Sequence, residues 1–256
     1  MRYAEKIKNF FFLTAFALVL CCCSPAGAHA EKTLKIGMER NWPPFSHEDG
    51  EGNLSGFNVD IAKALCVAME RRCEFFAMPL DVLQTELRGG RLDLVMDACA
   101  ASGSSEYMVF SAPYFHARFV YVGEIPVDRI EEKRPARIGV HAGGALQRYL
   151  EETNTSRNTV VADEMGNIFT ALQRHELDVM LVNSLQAYAF LASGTGGQFG
   201  IAGEPLPLEA LSTSHHIGMR KDAPDIVAAV NRALQEIRYN GMFLQINRVW
   251  FPHTLY

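Results

Sequence analysis

Two carboxylates stand where a ligand could meet them. Glu39 follows the first predicted strand of the chain and Asp97 the third. Trp42 comes just after Glu39, and Ser102, Ser104, His141 and Asn183 add polar groups at later strand ends and turns. Two carboxylates beside an aromatic face suit an amine or another cation, held by charge and by the electron-rich face of the ring. Glu39, Asp97 and His141 are also the residues from which acid–base catalysis would have to be built. No Gly-x-Ser-x-Gly nucleophile motif accompanies them after residue 30, and no Cys-x-x-Cys or His-x-x-x-His spacing offers metal ligands. No catalytic residue, metal site or cofactor is therefore assigned. His215-His216 is not read as a metal pair, because neighbours on a strand point to opposite faces. Each candidate also has a local reading: Asp97 can cap the next turn, His141 can sit in a solvated loop, and Trp42 can serve packing alone.

The elements that must position these residues show in an internal echo. Leu87-Arg88-Gly89-Gly90-Arg91-Leu92-Asp93-Leu94-Val95-Met96 returns 85 residues later as Leu172-Gln173-Arg174-His175-Glu176-Leu177-Asp178-Val179-Met180-Leu181. Each copy reads as a helix end, a polar turn, then Leu-Asp and an apolar strand. Strands apolar at every position suit a parallel sheet covered on both faces. Two such units imply two similar α/β lobes. Ligands of open α/β sheets sit beyond the carboxyl ends of the strands, so Asp97-Ala98 and Val182-Asn183 should face a shared cleft.

Around this pair, β and α segments alternate. Strands are expected at 33–38, 73–77, 92–96, 119–123, 137–140, 159–162, 178–182 and 217–219. Helices are expected at 58–71 with Asn58 as N-cap, 80–88, 145–152, 167–174, from Ser184 as cap to about 193, and 222–239, with a short terminal helix after them. Asp49 to Asn53 is a hairpin turn. Pro126 to Pro135 reads as a solvated connection. Such alternation predicts mostly parallel sheets with right-handed crossovers. The long helix near the C-terminus implies two crossings between lobes, near 121–124 and 211–215. The expected domains are a signal peptide at 1–30, lobe 1 at 31–122 plus 214–256, and lobe 2 at 123–213.

Residues 1–30 read as a secretory signal: Arg2, Lys6 and Lys8, an apolar run from Phe10 to Cys23, then Ala28-His29-Ala30 at a cleavage site. A lipoprotein signal is the alternative, but Leu20 and Cys22 before the cysteines are not the small residues it favours. Cleavage after Ala30 and a periplasmic location are expected. Of the 24 Lys+Arg and 29 Asp+Glu, three basic and one acidic lie in the signal, leaving 21 and 28, a net charge of −7. That balance, with no basic stripe, argues against nucleic acid as a partner. Outside the signal remain Cys66, Cys73 and Cys99. In an oxidising compartment Cys66, late on a helix, and Cys73, opening the next strand, are the expected disulfide. Cys99 is then left as a buried small hydrophobe.

In order and spacing, several words of this chain resemble the periplasmic amino-acid-binding proteins, the family 3 extracellular solute-binding proteins of ABC importers. They are Ile36-Gly37-Met38 with Pro43-Pro44-Phe45, Gly56-Phe57-Asn58-Val59-Asp60-Ile61, Gly90-Arg91-Leu92-Asp93, Phe110-Ser111-Ala112-Pro113-Tyr114-Phe115, Gly218-Met219-Arg220-Lys221-Asp222 and Asn240-Gly241 before Trp250-Phe251. The two cysteines followed by Pro79-Leu80-Asp81 resemble the branch binding basic amino acids and histidine, whose members have a disulfide here. The resemblance implies a type II clamshell of two α/β lobes that closes on a small ligand and docks on a membrane permease, as a monomer without cofactors. It also implies a cleft lined by Glu39, Trp42, Leu80, Asp97, Ala98, Ser102, Ser104, His141, Gly143, Ala145 and Asn183.

The chain departs from that family's pattern where an amino acid would be anchored. The arginine that grips the ligand carboxylate falls on Ser104 or Ser105, and Asp97 to Glu106 contains no arginine. The acid that holds the ligand ammonium falls on Asn183, and the usual hydroxyl residue is Ala145. Arg40, His116 and Arg118 are candidates to replace the lost cation. The expected function is therefore capture of a small polar, amine-bearing solute for an ABC importer. The alternatives are a periplasmic sensor or accessory protein acting in trans, and a dehydratase-type enzyme on the same fold.

Overall fold

The computed structural model of the chain describes residues 33–98, 106–153, 158–162, 164–207, 211, 213–252 and 254–255, apart from the Asp97 side chain. In chain order the elements are β1 (Leu34–Glu39), β2 (His47–Glu48), β3 (Leu54–Ser55), α1 (Phe57–Ala68), β4 (Cys73–Met78), α2 (Leu80–Arg88), β5 (Leu94–Ala98), β6 (Met108–Phe110), β7 (Phe115–His116) and β8 (Phe119–Gly123). They continue with α3 (Val127–Glu131), β9 (Arg137–His141), α4 (Ala145–Glu152), β10 (Asn158–Ala162), α5 (Met165–Gln173), β11 (Val179–Asn183), α6 (Ser184–Ala192), β12 (Gly200–Ile201), β13 (Ser214–Arg220), α7 (Pro224–Tyr239) and α8 (Met242–Trp250).

Two sheets share one plan. The first runs β4-β1-β5-β13-β6 and the second β10-β9-β11-β8-β12. In each, three parallel strands come first: β4, β1 and β5 in one, β10, β9 and β11 in the other. An antiparallel strand then follows, β13 beside β5 and β8 beside β11. Helices pack against both sheets, as the βα alternation requires.

The Leu-Asp echo has a structural cause. Asp93 and Lys35 exchange two bonds: Asp93 N donates to the Lys35 carbonyl at 2.9 Å, and Lys35 N donates to Asp93 Oδ2 at 2.9 Å. Asp178 repeats this with Arg137, at 3.0 Å to the carbonyl and 2.8 Å from Arg137 N. The leucine before each aspartate closes over a glycine. A Cβ at Gly37 would meet Leu92 and Leu83, and one at Gly139 would meet Leu177 and Ile168. Each word thus fastens the entry of one central strand and packs the helix that precedes it. Asp178 also takes two bonds of 2.7 Å from Arg134 and further bonds from Arg137. The Arg134 bonds foremost, with those of Arg137, hold its carboxyl far below the usual carboxylate range.

Other words that carry the resemblance are also structural. Tyr114 donates its hydroxyl to the buried Asn58 Oδ1 at 2.7 Å, and the Trp250 indole donates to Asp60 at 2.9 Å. Gly56, at φ 135, lies against the Phe45 backbone with no room for a Cβ. Cys66 and Cys73 form a disulfide, with Cα atoms 6.3 Å apart.

Several boundaries differ from expectation. Gly56, not Asn58, is the N-cap of α1, because Asn58 is drawn into the core by Tyr114. Asn183, not Ser184, caps α6, accepting from Leu185 N and Gln186 N. The connection at 126–135 contains α3, whose Val127 is buried. β8, expected to finish lobe 1, pairs with β11 and β12 in the second sheet. The chain therefore leaves the first sheet between His116 and Phe119, before the expected crossing at 121–124. It is back in the first sheet by Ser214, which pairs with His116. The apolar Phe119–Gly123 strand is buried along its whole length, which a central place between β11 and β12 explains.

Candidate functional site

Three of the six parallel strands, β1, β9 and β11, end in a polar side chain. β1 ends in Glu39, β5 in Ala98, β9 in His141 and β11 in Asn183. By the shared sheet plan Glu39 corresponds to His141, and Ala98 to Asn183. The two sheets approach each other here. Glu39 Oε1 contacts His141 Nε2 as a buried carboxylate–imidazole pair. Trp42 stands edge-on to the His141 ring with centroids 4.5 Å apart. It also packs against apolar clusters belonging to both sheets. The turn after β1 fixes it there: Trp42 N donates to the Ser46 carbonyl at 2.6 Å, and its own carbonyl accepts from Phe45 and Ser46. Beside it, Asn41 Nδ2 reaches Glu164 at 3.0 Å.

A cavity of about 530 Å³ opens at this junction. That is within the range of small-molecule sites, which run from about 300 to 1,000 Å³. Of the residues expected in the cleft, Glu39, Trp42, Leu80 and Ala98 line it from the first sheet's side, and His141, Gly143, Ala145 and Asn183 from the second. Ser102 and Ser104, like Cys99, lie outside the described residues, and the side chain of Asp97 is also outside the description. Arg40, His116 and Arg118, candidates for a replacement cation, do not line the cavity. Arg40 instead reaches the Ala77 carbonyl at 3.4 Å, and the His116 ring meets Ser214 Oγ at 3.2 Å.

Local chemistry explains several of these placements. Asn183 spends its side-chain oxygen on the α6 N-terminus, at 3.1 Å from Leu185 N and 2.9 Å from Gln186 N, so its amide N–H groups are what it offers elsewhere. Gly143 takes a left-handed φ of 68° and donates its N–H to Gln147 at 2.8 Å, which shapes the turn between β9 and α4. His215 and His216 face opposite ways. His215 lines the cavity and stacks on Phe115 with centroids 4.2 Å apart, while His216 Nδ1 meets the Ser111 carbonyl at 2.8 Å. Among the described residues, no group of three or more His, Cys, Asp or Glu could hold a metal ion.

The cavity also has residues that sequence reasoning missed, and some had a signal. Gln84 and Arg88 follow Leu80 at four-residue steps on α2, Arg148 follows Ala145 by three, and Gln186 follows Asn183 by three. Helical neighbours at these spacings share a face, so placing the first of each pair implied the second. Phe119 and His215 had no such signal, because pairing between distant strands brings them in. Arg88 is 64 % exposed at its side chain and lies over the Tyr107 ring, 4.7 Å from its centre. Arg148 Nη1 reaches the Gly143 carbonyl at 3.4 Å.

The family model for bacterial extracellular solute-binding proteins, family 3, matches residues 34–253. The chain belongs to that family. This family 3 protein is 26% identical over 229 residues to ABC transporter arginine-binding protein 1 of Escherichia coli, covering 88% of this chain and 93% of the relative. It is 24% identical over 254 residues to the lysine/arginine/ornithine-binding periplasmic protein of the same organism, covering 95% and 98%. Among solved structures, an arginine-specific periplasmic binding protein of Salmonella typhimurium aligns with a TM-score of 0.78 at 23% identity, over 86% of this chain and 99% of that one. That likeness establishes the type II clamshell fold. The relatives are named as binding proteins, which agrees with solute binding rather than catalysis for this family 3 chain.

Proposed function

We propose that this protein is the periplasmic solute-capturing subunit of an ABC importer, and that its solute is a small cation recognised without a carboxylate clamp. The observation that carries the reading is Glu39: a carboxylate only 9 % exposed, at the end of β1, beside Trp42 and lining the cavity. A buried carboxylate next to an aromatic ring favours an amine or guanidinium. The arginine and the acid that would anchor a zwitterion are replaced at their expected positions by serine and by Asn183. Burying a ligand carboxylate without a partner would cost several kcal/mol. The relatives' names, with arginine, lysine and ornithine among their solutes and a periplasmic location, support the cationic side of the reading. The lobes follow the two sheets and close on the solute, and the signal peptide is cleaved after Ala30.

One observation favours a second reading. Arg88 and Arg148 line the same cavity, and a guanidinium is well suited to a carboxylate. A zwitterionic amino acid could then bind in an unfamiliar orientation. Isothermal titration with agmatine, L-argininamide and L-arginine separates the two. These share a guanidinium chain and differ in carrying a hydrogen, a carboxamide or a carboxylate. Binding of agmatine and argininamide at least as tight as that of arginine supports the first reading. Binding of arginine alone, or of none of the three, overturns it.

A further inference from the structure

We infer that Gln186 is a specificity-determining residue of the cleft, and that its side-chain amide donates a hydrogen bond to an uncharged oxygen of the ligand. The inference rests on the cationic-solute reading above and adds a second recognised group to it. Gln186 is on α6, lines the cavity, and is 1 % exposed. Its Nε2 is buried and has no hydrogen-bond partner among the described residues. Buried amide donors are nearly always satisfied, because an unmade bond costs more than a made one gains. The ordinary structural use of this residue is not taken up. Asn183-Ser184-Leu185-Gln186 has the spacing of a capping box, in which the glutamine side chain would reach back to the N-cap N–H. Here, among the described residues, the cap of α6 is Asn183 Oδ1, one of whose bonds comes from the backbone N of Gln186 itself. A capping box would engage Oε1 and not Nε2; it is the Nε2 donor, buried and without a partner among the described residues, that a group filling the cavity would have to meet.

The chemistry of the partner follows from the surroundings. An amide N–H needs an acceptor, and the apolar part of the lining, Phe119 and Met96 among it, supplies none. Glu39 shares the same cavity and disfavours a second negative charge there. A carboxamide, carbonyl or hydroxyl oxygen meets both conditions. The ligand class is therefore a cation that also bears a neutral oxygen acceptor.

The agmatine–argininamide pair tests this, since the two differ by one carboxamide. Titration of the whole mature protein should show argininamide binding about tenfold more tightly than agmatine, the size of one well-placed hydrogen bond. In Gln186→Leu the ratio of the two affinities should fall to about one. Gln186→Met serves the same purpose should the leucine variant not fold, and the exposed Tyr188→Ala on the same helix should keep the wild-type ratio. Equal affinities in the wild type, or a ratio unchanged in both Gln186 variants, overturn the inference while leaving the cationic-solute reading standing. If agmatine and argininamide both fail to bind, that reading falls and this inference falls with it.

Discussion

Glu39 and His141 end equivalent strands of the two sheets and meet across the cleft, carboxylate to imidazole, with both side chains buried. The pair joins the sheets at the point where the cavity opens. Glu39→Gln keeps the shape and a hydrogen-bonding oxygen but removes the charge. Losing one partner of a buried charged contact costs about 2–5 kcal/mol. Agmatine affinity should accordingly fall roughly thirtyfold or more, since about 1.4 kcal/mol is a factor of ten. Titration calorimetry checks this, and an unchanged affinity would remove Glu39 from the cation site.

Much of this arrangement could be read from the chain, and the division has a physical basis. The Leu-Asp echo was legible because both copies perform one local task, fastening the entry of a strand. The words that carried the family resemblance were legible for the same kind of reason. Asn58 with Tyr114 is a buried contact and Asp60 with Trp250 a half-buried one, and each ties α1 to a distant part of the chain. Those words locate the fold and say little about the ligand. The strand ends Glu39, His141 and Asn183, which line the cavity, were legible because clefts open at the carboxyl ends of parallel strands. β8 was misassigned because a buried apolar strand carries no mark of which sheet it joins. Phe119 and His215 were missed because strand pairing over long separations has no local signature.

Asp178 should make stability depend on pH. Its carboxyl is 8 % exposed and accepts from two arginines and from Arg137 N, so its folded pKa lies far below the ordinary 3.8. A depressed carboxylate pKa contributes stability that is fully present above the unfolded value and is lost as pH falls toward the folded one. Asp178→Asn should cost about 2–4 kcal/mol near pH 7, the range for a buried, charge-assisted network, with the arginines partly exposed. The gap between wild type and variant should narrow steadily as the pH drops below about 4. Urea unfolding at pH 7, 4 and 3 measures it. A gap that widens in acid would contradict the assignment.

Gly139 should resist the smallest enlargement. A Cβ there would run into Leu177, the leucine of the second Leu-Asp step, and crowd Ile168 on α5. Overpacking of this kind costs about 1–3 kcal/mol. Gly139→Ala should lower the denaturant midpoint with little change in slope, and the added change Leu177→Ala should recover less than the full loss because it opens space elsewhere. A neutral Gly139→Ala would mean that Leu177 has room to turn aside.

Arg148 separates the two ways of reading the cleft. Among the described residues its guanidinium makes one long contact, 3.4 Å to the Gly143 carbonyl, and it shares the cavity with Glu39. For a cationic solute it is an electrostatic opponent, partly screened by solvent. Arg148→Ala should then tighten agmatine binding by about threefold at low ionic strength, and the gain should shrink in 0.5 M salt as screening shortens the reach of charge to about a few ångströms. A carboxylate clamp predicts the opposite sign for L-arginine, a loss of tenfold or more at about 1.5–3 kcal/mol for a hydrogen bond to a charged group. Titrating both compounds into both proteins at two salt concentrations gives the answer. Tighter agmatine binding with little change for arginine supports Glu39 as the dominant charge of the site. A selective loss of arginine binding would transfer that role to Arg148 and make the solute a zwitterion.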